Sequence, residues 1–591
     1  MLEELNGYSS IFLDYSVLLE YAGTPVFEGL LRVLDTGLEV YVDKSFKALH
    51  YCILHIKDPK DLKAAAAMKK ICSVLLAEHR LHLIKELEID KVAANINEIE
   101  GECVVLTTRD SIFTKRLYEK MPYISCDIAI IAKGVLNVFD SLDSLCFSFP
   151  KQEPSRLAYN SSYIESFGSA SISDIVVTEN EEKYELVKRL SGGAEGMVFT
   201  TNQPGYIAKI YHKGIITPLR WAKLKKLTEL KISGHGFCIP KELVFFRNSP
   251  VGYTMTLGKG TTLGTVFDGP DAMLEAFPEW TRLDIVKTLL ALIEKYLYLH
   301  MHDVIAGDIQ LKNALIDSSS DVYLIDMDSV QIGNLPCPVG TEEFTDPRLW
   351  GKDFSKFLRE LRDEDYSIAM LVFSMLFCGL HPYATRNGAE TLKEEITNYN
   401  FPYNFENDNE FIPIGGYDHI WEYLSEKLRK MLFETFKNGW SYDTLEWLDA
   451  VVKYKEDLEN FVYDDPEAYK LFPKEGYKQA SVDVEAGRAA LQKTSKPKAA
   501  APAASEASSE EQSDSLESIV TEQPVFAKPN QPAAAPINSA FARPNQPAAT
   551  NPAFAPKRPF TNVPTGKYIP KDQIRDEEDE VSKKKKFFGL F

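Results

Sequence analysis

Hydrophobic and polar positions follow three regimes along the chain. Between residues 1 and 150, short apolar runs recur at Ser10–Asp14, Leu38–Val42, Cys103–Thr107 and Asp127–Ile131, separated by helix-like stretches such as Asp61–His79. Unbroken apolar runs of strand length are what a sheet covered on both faces requires, so this segment is predicted to be an α/β domain with a parallel sheet. A polar Ser/Asn/Glu-rich stretch over residues 151–173 reads as a linker. From 174 to 463 the pattern passes from strand-like runs to mainly helical ones, which predicts an α+β domain, and 464–494 reads as a short helical extension. From 495 to 591 periodicity gives way to Pro/Ala/Ser-rich sequence with too little apolar surface for a core, and a disordered tail is predicted.

Length and charge narrow the function classes. A chain of 591 residues is expected to hold roughly three to five domains. With 86 acidic against 66 basic residues, a formal charge of −20, the protein lacks the phosphate-neutralising excess of a general nucleic-acid binder. Its eight cysteines show no Cys-x-x-Cys spacing, so neither a zinc site nor a disulfide framework is expected. Met1-Leu2-Glu3-Glu4 lacks a basic or apolar leader pattern, and the longest apolar run, around Ala369–Leu380, is too short to cross a bilayer. A cytoplasmic protein is expected.

The 174–463 segment carries the candidate chemistry. Leu190–Phe199 contains Gly192, Gly193 and Gly196 between strand-like runs, where missing Cβ atoms let backbone N–H groups approach a polyphosphate. Lys209 follows on an alternating strand, Tyr206–Tyr211. Further on, Asp308 and Asn313 are followed by the apolar strand Val322–Ile325 and then Asp326. Phosphoryl transfer needs such a set: one carboxylate to orient the attacking hydroxyl, and an amide with a second carboxylate to hold a metal ion against the phosphates.

In this order the motifs resemble those of the eukaryotic-type (Hanks-type) protein kinase superfamily, over about 280 residues, and most of all bacterial kinase-like domains found with von Willebrand A and metal-dependent phosphatase proteins. The resemblance implies a two-lobed protein kinase domain that uses ATP and Mg²⁺ on serine or threonine hydroxyls of protein substrates. It assigns Lys209 to the phosphates with Glu229 as its ion-pair partner, Asp308 to catalysis, and Asn313 and Asp326 to the metal. Val198, Met255 and Leu257 would line the adenine pocket, Thr256 and Leu257 as the hinge. It also makes Val339–Pro347 the end of an activation segment and Asp365 the start of the helix that anchors the catalytic loop. Several positions depart from the pattern: Ser191 replaces a loop glycine, Gly307 the arginine before the catalytic carboxylate, Gln310 a lysine, Asp328 a glycine, and Arg348 a glutamate whose usual arginine partner is missing near Gly439–Asp443. Without an arginine at 307, competence without activation-segment phosphorylation is expected, and Lys312 is a candidate to supply the charge lost at 310.

Asp14 after the first strand and Thr108-Arg109-Asp110 after a later one resemble a PIN-like nuclease fold, which implies Asp14 and Asp110 as metal ligands; Asp43 and Asp127 are further candidates. Residues 1–150 hold 16 basic and 22 acidic residues, net −6, which favours a sensor or interaction domain over a nuclease. In the tail, Phe526-Ala-Lys-Pro-Asn-Gln-Pro recurs as Phe541-Ala-Arg-Pro-Asn-Gln-Pro, either a repeated docking peptide or a duplicated linker. Its Ser/Thr residues between Thr494 and Thr561 are expected autophosphorylation sites. Lys583–Phe591 joins four lysines to three phenylalanines, a pattern suited to a partner groove or to peripheral, reversible contact with an anionic membrane. Three functions therefore compete: an active kinase, a nucleotide-binding pseudokinase scaffold, and a kinase-regulated PIN-like ribonuclease.

Overall fold

The computed structural model describes residues 2–46, 48, 59–86, 89–109, 111–148, 170–230, 232, 234–386, 391–405, 411–413 and 417–475, all within the unit Met1–Gln512. Asp110, most of the predicted linker, the tail repeats and the basic-aromatic end lie outside these residues.

Residues 2–148 build a three-layer α/β/α sandwich around a six-stranded sheet: β1 (Ser10–Leu13), β2 (Glu39–Asp43), β3 (Leu81–Ile84), β4 (Cys103–Thr108), β5 (Asp127–Ala132) and β6 (Val135–Phe139). Their order is β3-β2-β1-β4-β5-β6, with β1 to β5 parallel and β6 antiparallel to β5. Strand alternation sorts the side chains. Ile11, Leu13, Val40, Val42, Val104, Leu106, Ala129 and Ile131 face α1 (Ser16–Tyr21), α2 (Pro25–Leu34) and α3 (Pro59–Ala77). Phe12, Val105, Ile128 and Ile130 face α4 (Ile89–Asn97), α5 (Ile112–Lys120) and α6 (Leu142–Ser148).

Residues 170–475 form two lobes. The first is a closed antiparallel barrel of β7 (Ile175–Thr178), β8 (Lys183–Gly192), β9 (Gly196–Thr201), β10 (Tyr206–Tyr211), β11 (Glu242–Phe246) and β12 (Ser249–Thr256), with one helix, α7 (Pro218–Leu230), between β10 and β11. The second is mainly helical and centres on α8 (Arg282–Met301) and α9 (Asp365–Leu376); every residue of α9 is buried, as an all-round apolar helix requires. The short strand β13 (Thr261–Thr262) precedes these two helices, and β14 (Val304–Ile305), β15 (Ala314–Ser318), β16 (Asp321–Leu324) and β17 (Gln331–Ile332) lie between them in the chain. Buried Arg282 donates to Leu376 O and Leu471 O, both at 2.7 Å, and so ties the last described turns, Pro466–Tyr469 and Pro473–Glu475, to the helical lobe. Both are 3-10 turns, and the rest of the expected helical extension, 476–494, lies outside the described residues.

The apolar core of the sheet's first face is continuous with that of the helical lobe. At this junction Tyr15 Oη donates to Met301 O at 3.1 Å, Lys115 pairs with Asp303, Lys120 with Glu360 at 2.8 Å, and Lys44 with Glu446 at 3.4 Å. The carboxyl ends of the parallel strands, the usual ligand crevice of such sheets, therefore meet the helical lobe. Among the described residues no helix is long and apolar enough to cross a membrane.

Candidate active site

Alternation along β10 divides its side chains: Ala208 and Ile210 enter the barrel core, whereas Ile207 and Tyr211 join a second apolar cluster at the cleft between the lobes. Lys209 shares their side of the strand and is buried. Its Nζ lies 2.9 Å from Asp328 Oδ2 and 3.2 Å from Asp326 Oδ1. Tyr211 Oη donates to the same Asp328 oxygen. Burial alone would push Lys209 towards neutrality, but Asp328 above all, with Tyr211 and Asp326, raises its pKa above the ordinary lysine value. Burial likewise opposes the charge on Asp328, yet Lys209 and the Tyr211 hydroxyl hold its pKa below the carboxylate norm. Both directions describe one stable ion pair.

Glu229 does not take the partner role assigned to it. It is exposed near the end of α7, whose inward residues are Lys223, Leu224 and Leu227. A cation faces inward where the carboxylate was expected: Lys223 Nζ donates to Ser329 O at 3.0 Å and Pro336 O at 2.7 Å. Desolvation brings its pKa down to about 8.

The glycine loop is a hairpin closed by Gly193 N–H to Gly196 O at 2.9 Å. Gly193 is open on its Cβ side, whereas Cβ atoms at Gly192 and Gly196 would strike the Arg189 guanidinium and the Ile210 carbonyl. Gly196 is thus needed for strand packing, and Gly193 is the position with room over it. Glu195 accepts from Arg220 Nη2 on α7 at 2.5 Å, and this pins the loop to that helix.

Val198, Ile207, Met255, Leu257, Leu315 and Ile325, drawn from both lobes, belong to one apolar cluster. That is the wall a planar base would need. The backbone N–H of Leu257 already donates to Gly205 O at 2.9 Å, so Leu257 contributes its side chain and not the hinge donor expected of it.

Side chains of the loop after β14 and of the segment at Thr341 converge on Asp308. Gln310 Nε2 and Asn313 Nδ2 donate to Asp308 Oδ2 at 2.8 and 3.0 Å, and Thr341 Oγ1 donates to Oδ1 at 2.8 Å. Asn313 Nδ2 also donates to Asp308 O at 2.8 Å, which leaves Asn313 Oδ1 as its free acceptor. The backbone carbonyl of Asn313 accepts from Ile325 N at 3.0 Å and so fixes the start of the Asp326 segment. Asp326 has φ +59° and a side chain 65% exposed. Lys312 is exposed, its stem against Gly264, so the charge expected in place of a lysine at 310 is met at Asp308 by the neutral Gln310 amide.

Three residues that sequence reasoning missed hold this loop. Glu364, and not Asp365, is the anchor: buried, it accepts from Ala306 N at 3.2 Å, Gly307 N at 2.5 Å and His300 Nε2 at 2.7 Å. Asp365 instead accepts from Ser441 Oγ at 2.7 Å, and burial pushes its pKa well up. Gly307 has φ +75°, and a Cβ there would lie 2.5 Å from Cys337 Sγ and 2.6 Å from Arg359 Nη1. Arg359 fills that space: its Nη1 donates to Gly307 O and its Nη2 to Val339 O at 2.6 Å, with its guanidinium 3.9 Å from the centre of the Phe354 ring. Gln331 clasps both the N–H and the C=O of Arg359, at 2.8 and 2.7 Å. Arg348 pairs locally with Asp346 at 2.5 Å, consistent with a fold that dispenses with both halves of the missing pair.

In the first domain Asp14 and Asp43 stand side by side at the carboxyl ends of β1 and β2, and both are buried. Asp14 accepts from Ser16 Oγ and from Thr107 Oγ1 at 2.6 Å; Asp43 accepts from Ser45 N at 2.8 Å. Asp127 is the first residue of β5, at the opposite end of the sheet, and accepts from Tyr8 Oη at 2.5 Å, so it is no third ligand. Among the described residues no group of three or more His, Cys, Asp or Glu side chains could hold a metal ion. Burial, then the neighbouring Asp14, raises the Asp43 pKa to about 6. A folded pKa above the unfolded one means that stability is greatest below the unfolded value, near 3.8, and declines as pH rises through 6. The charged form costs on the order of 3 kcal/mol by this shift. Asp43→Asn should therefore raise the melting temperature at pH 7.5 and bring almost no gain at pH 3, below both the unfolded and the folded value; an equal gain at both values would contradict this account.

No family model matches the chain. Over 251 residues it is 27% identical to "Protein kinase YegI" of Escherichia coli (strain K12), a match covering 39% of this chain and 38% of that protein. The protein of the same name from Escherichia coli O157:H7 is 27% identical over 239 residues, covering 37% and 36%. The match thus spans less than two-fifths of either relative. Among solved structures, "ROP18 kinase domain in complex with AMP-PNP and sucrose" is similar with TM-score 0.34 and 12% identity, covering 50% of this chain and 89% of that one. The chain carries a kinase-like region with distant homology to a bacterial protein kinase.

Proposed function

We propose that residues 174–463 bind Mg-ATP and transfer its γ-phosphate to serine or threonine hydroxyls of protein substrates. The observation that carries this reading is the amide orientation of Asn313: both Nδ2 contacts go to Asp308, and Oδ1 remains as an oxygen donor in the same loop that fixes the Asp326 segment. An amide oxygen and an exposed carboxylate suit a hard cation that prefers oxygen ligands, so Asn313 and Asp326 would hold Mg²⁺, which when bound offsets phosphate charge. Lys209 supplies the fixed positive charge, and the apolar wall from Val198 to Ile325 takes the base. Asp308, held in one orientation by Thr341, Gln310 and Asn313, would accept a hydrogen bond from the incoming hydroxyl. Partners of the von Willebrand A and metal-dependent phosphatase type follow only from the motif resemblance. The test is transfer of labelled γ-phosphate by the full chain, with phosphoamino-acid analysis and Asp308→Ala as control. Transfer that survives Asp308→Ala, or phosphate found on tyrosine alone, would overturn the reading.

For residues 1–150 we propose a PIN-like fold serving in recognition and bracing, because Asp14 and Asp43 are buried at the edge that meets the helical lobe. The full chain with single-stranded RNA and Mn²⁺ should show no cleavage above background. Cleavage lost in Asp14→Asn would establish a nuclease instead.

A further inference from the structure

Lys209 is nearly withdrawn from solvent, with 10% of its side chain exposed, and a buried ammonium without a counter-charge would be costly. The helix beside it does not supply that charge. The polar residue that α7 turns inward is Lys223, a second cation, whose ammonium is occupied by Ser329 O and Pro336 O. The α7 carboxylate Glu229 is exposed. The counter-charge comes from Asp328, 4% exposed, which accepts from Lys209 at 2.9 Å and also from the Tyr211 hydroxyl. Two donors from one strand thus converge on one carboxylate. Arg220 lies over the Tyr211 ring at 5.2 Å and closes the outer side.

We propose that Asp328 is the positioning residue of Lys209, so that the lysine and the metal-binding carboxylate Asp326 are set by one three-residue segment and not by the placement of α7. This rests on the reading of the site as a Mg-ATP phosphotransfer centre. It changes what can switch the site. Where a helix carboxylate holds the lysine, rotating the helix disconnects it. Here α7 grips the segment after Asp328 through Lys223, so only movement of residues 326–336 releases Lys209, and that same movement displaces Asp326. The two charged groups engage or disengage together.

The test uses the full chain and two variants, Asp328→Asn and Glu229→Gln, with two readouts. The first is the rate at which Lys209 is acetylated by N-acetoxysuccinimide at pH 9, followed by peptide mass spectrometry. In the wild type and in Glu229→Gln, Lys209 should react slowly and at equal rates. Asp328→Asn should speed it by about tenfold or more, since the ammonium loses the charged half of its buried 2.9 Å contact and is no longer held away from solvent. The second readout is steady-state ATP kinetics: Asp328→Asn should lower kcat/KM by about tenfold to a hundredfold, with KM and kcat both moving, while Glu229→Gln stays within about twofold. Glu229 is exposed, so its variant keeps the test decisive even if Asp328→Asn folds poorly: faster acetylation of Lys209 in Glu229→Gln would overturn the proposal. So would acetylation of Lys209 at the wild-type rate in a folded Asp328→Asn chain. Absence of phosphate transfer by the wild type, with the acetylation contrast intact, would sink the kinase reading and leave the anchor standing.

Discussion

Asp326→Asn is expected to reduce γ-phosphate transfer by about a thousandfold or more while leaving the melting temperature within about 2 °C of the wild type. The two halves of this expectation have separate physical sources. Transfer collapses because the exposed Asp326 carboxylate is the charged member of the oxygen pair assigned to Mg²⁺, and asparagine keeps the shape but not the charge. Stability survives because Lys209 keeps its shorter contact, 2.9 Å to the buried Asp328, so no ammonium is left unpaired. Asparagine also tolerates the left-handed backbone at this position, φ +59°, at least as well as aspartate. Filter-bound transfer assays and thermal melts on the same preparations decide it. Wild-type transfer by the variant would remove Asp326 from the mechanism, and a large loss of stability would show that Lys209 depends on Asp326 more than on Asp328.

How much was legible in the sequence follows from whether contacts are local. β1, β2, β4 and β5 begin or end within a residue or two of the apolar runs that announced them, because strands covered on both faces must be continuously apolar. β3 and β6 were not foreseen. Leu81–Ile84 carries His82 towards Glu39, and every residue of β6 is at least partly exposed, so neither shows an unbroken buried run. The grouping of Asp308, Asn313 and Asp326 was readable because a short loop and one hairpin bring them together. Glu229 failed for the opposite reason: spacing along the chain does not say which α7 side chain turns inward, and the polar residue that does so is Lys223. The sequence showed that Asp328 replaced a glycine, yet only the fold shows that the replacement supplies the missing carboxylate. Arg359 lies 52 residues from Gly307 in the chain, and no pattern marks such a distant substitute.

The same long-range geometry bears on the first domain. Its Lys115 reaches Asp303, four residues before Gly307, and its Lys120 reaches Glu360, next to Arg359. Each exposed pair is worth little alone. Together with the buried Tyr15–Met301 hydrogen bond and the continuous apolar core, they put the domain against both supports of the catalytic loop, and a bracing role needs no ligand in the buried Asp14 crevice.

Arg359→Ala should lower kcat by about a hundredfold and destabilise the helical lobe by on the order of 3 kcal/mol, whatever the phosphorylation state of the chain. The buried guanidinium joins the catalytic loop at Gly307 O to the activation segment at Val339 O. Deleting it takes the guanidinium donor from the carbonyls of half-buried Gly307 and exposed Val339 and opens space beside Cys337 and Phe354. Asp308 then loses its fixed place, because Gly307 precedes it and Thr341, two residues after Val339, holds its Oδ1. Arg359→Lys should recover only part of the rate, since one ammonium lacks the planar fork that spans two carbonyls and stacks on a ring. The arginine is built into the chain and needs no phosphate to hold the segment, so phosphatase treatment of the wild type should leave its rate within about twofold. Steady-state rates for the wild type, phosphatase-treated wild type and both variants check the account. A phosphatase-treated wild type as slow as Arg359→Ala would show that the segment is ordered by phosphorylation after all, and an Arg359→Ala chain at full rate would show that the catalytic loop is held without this bridge.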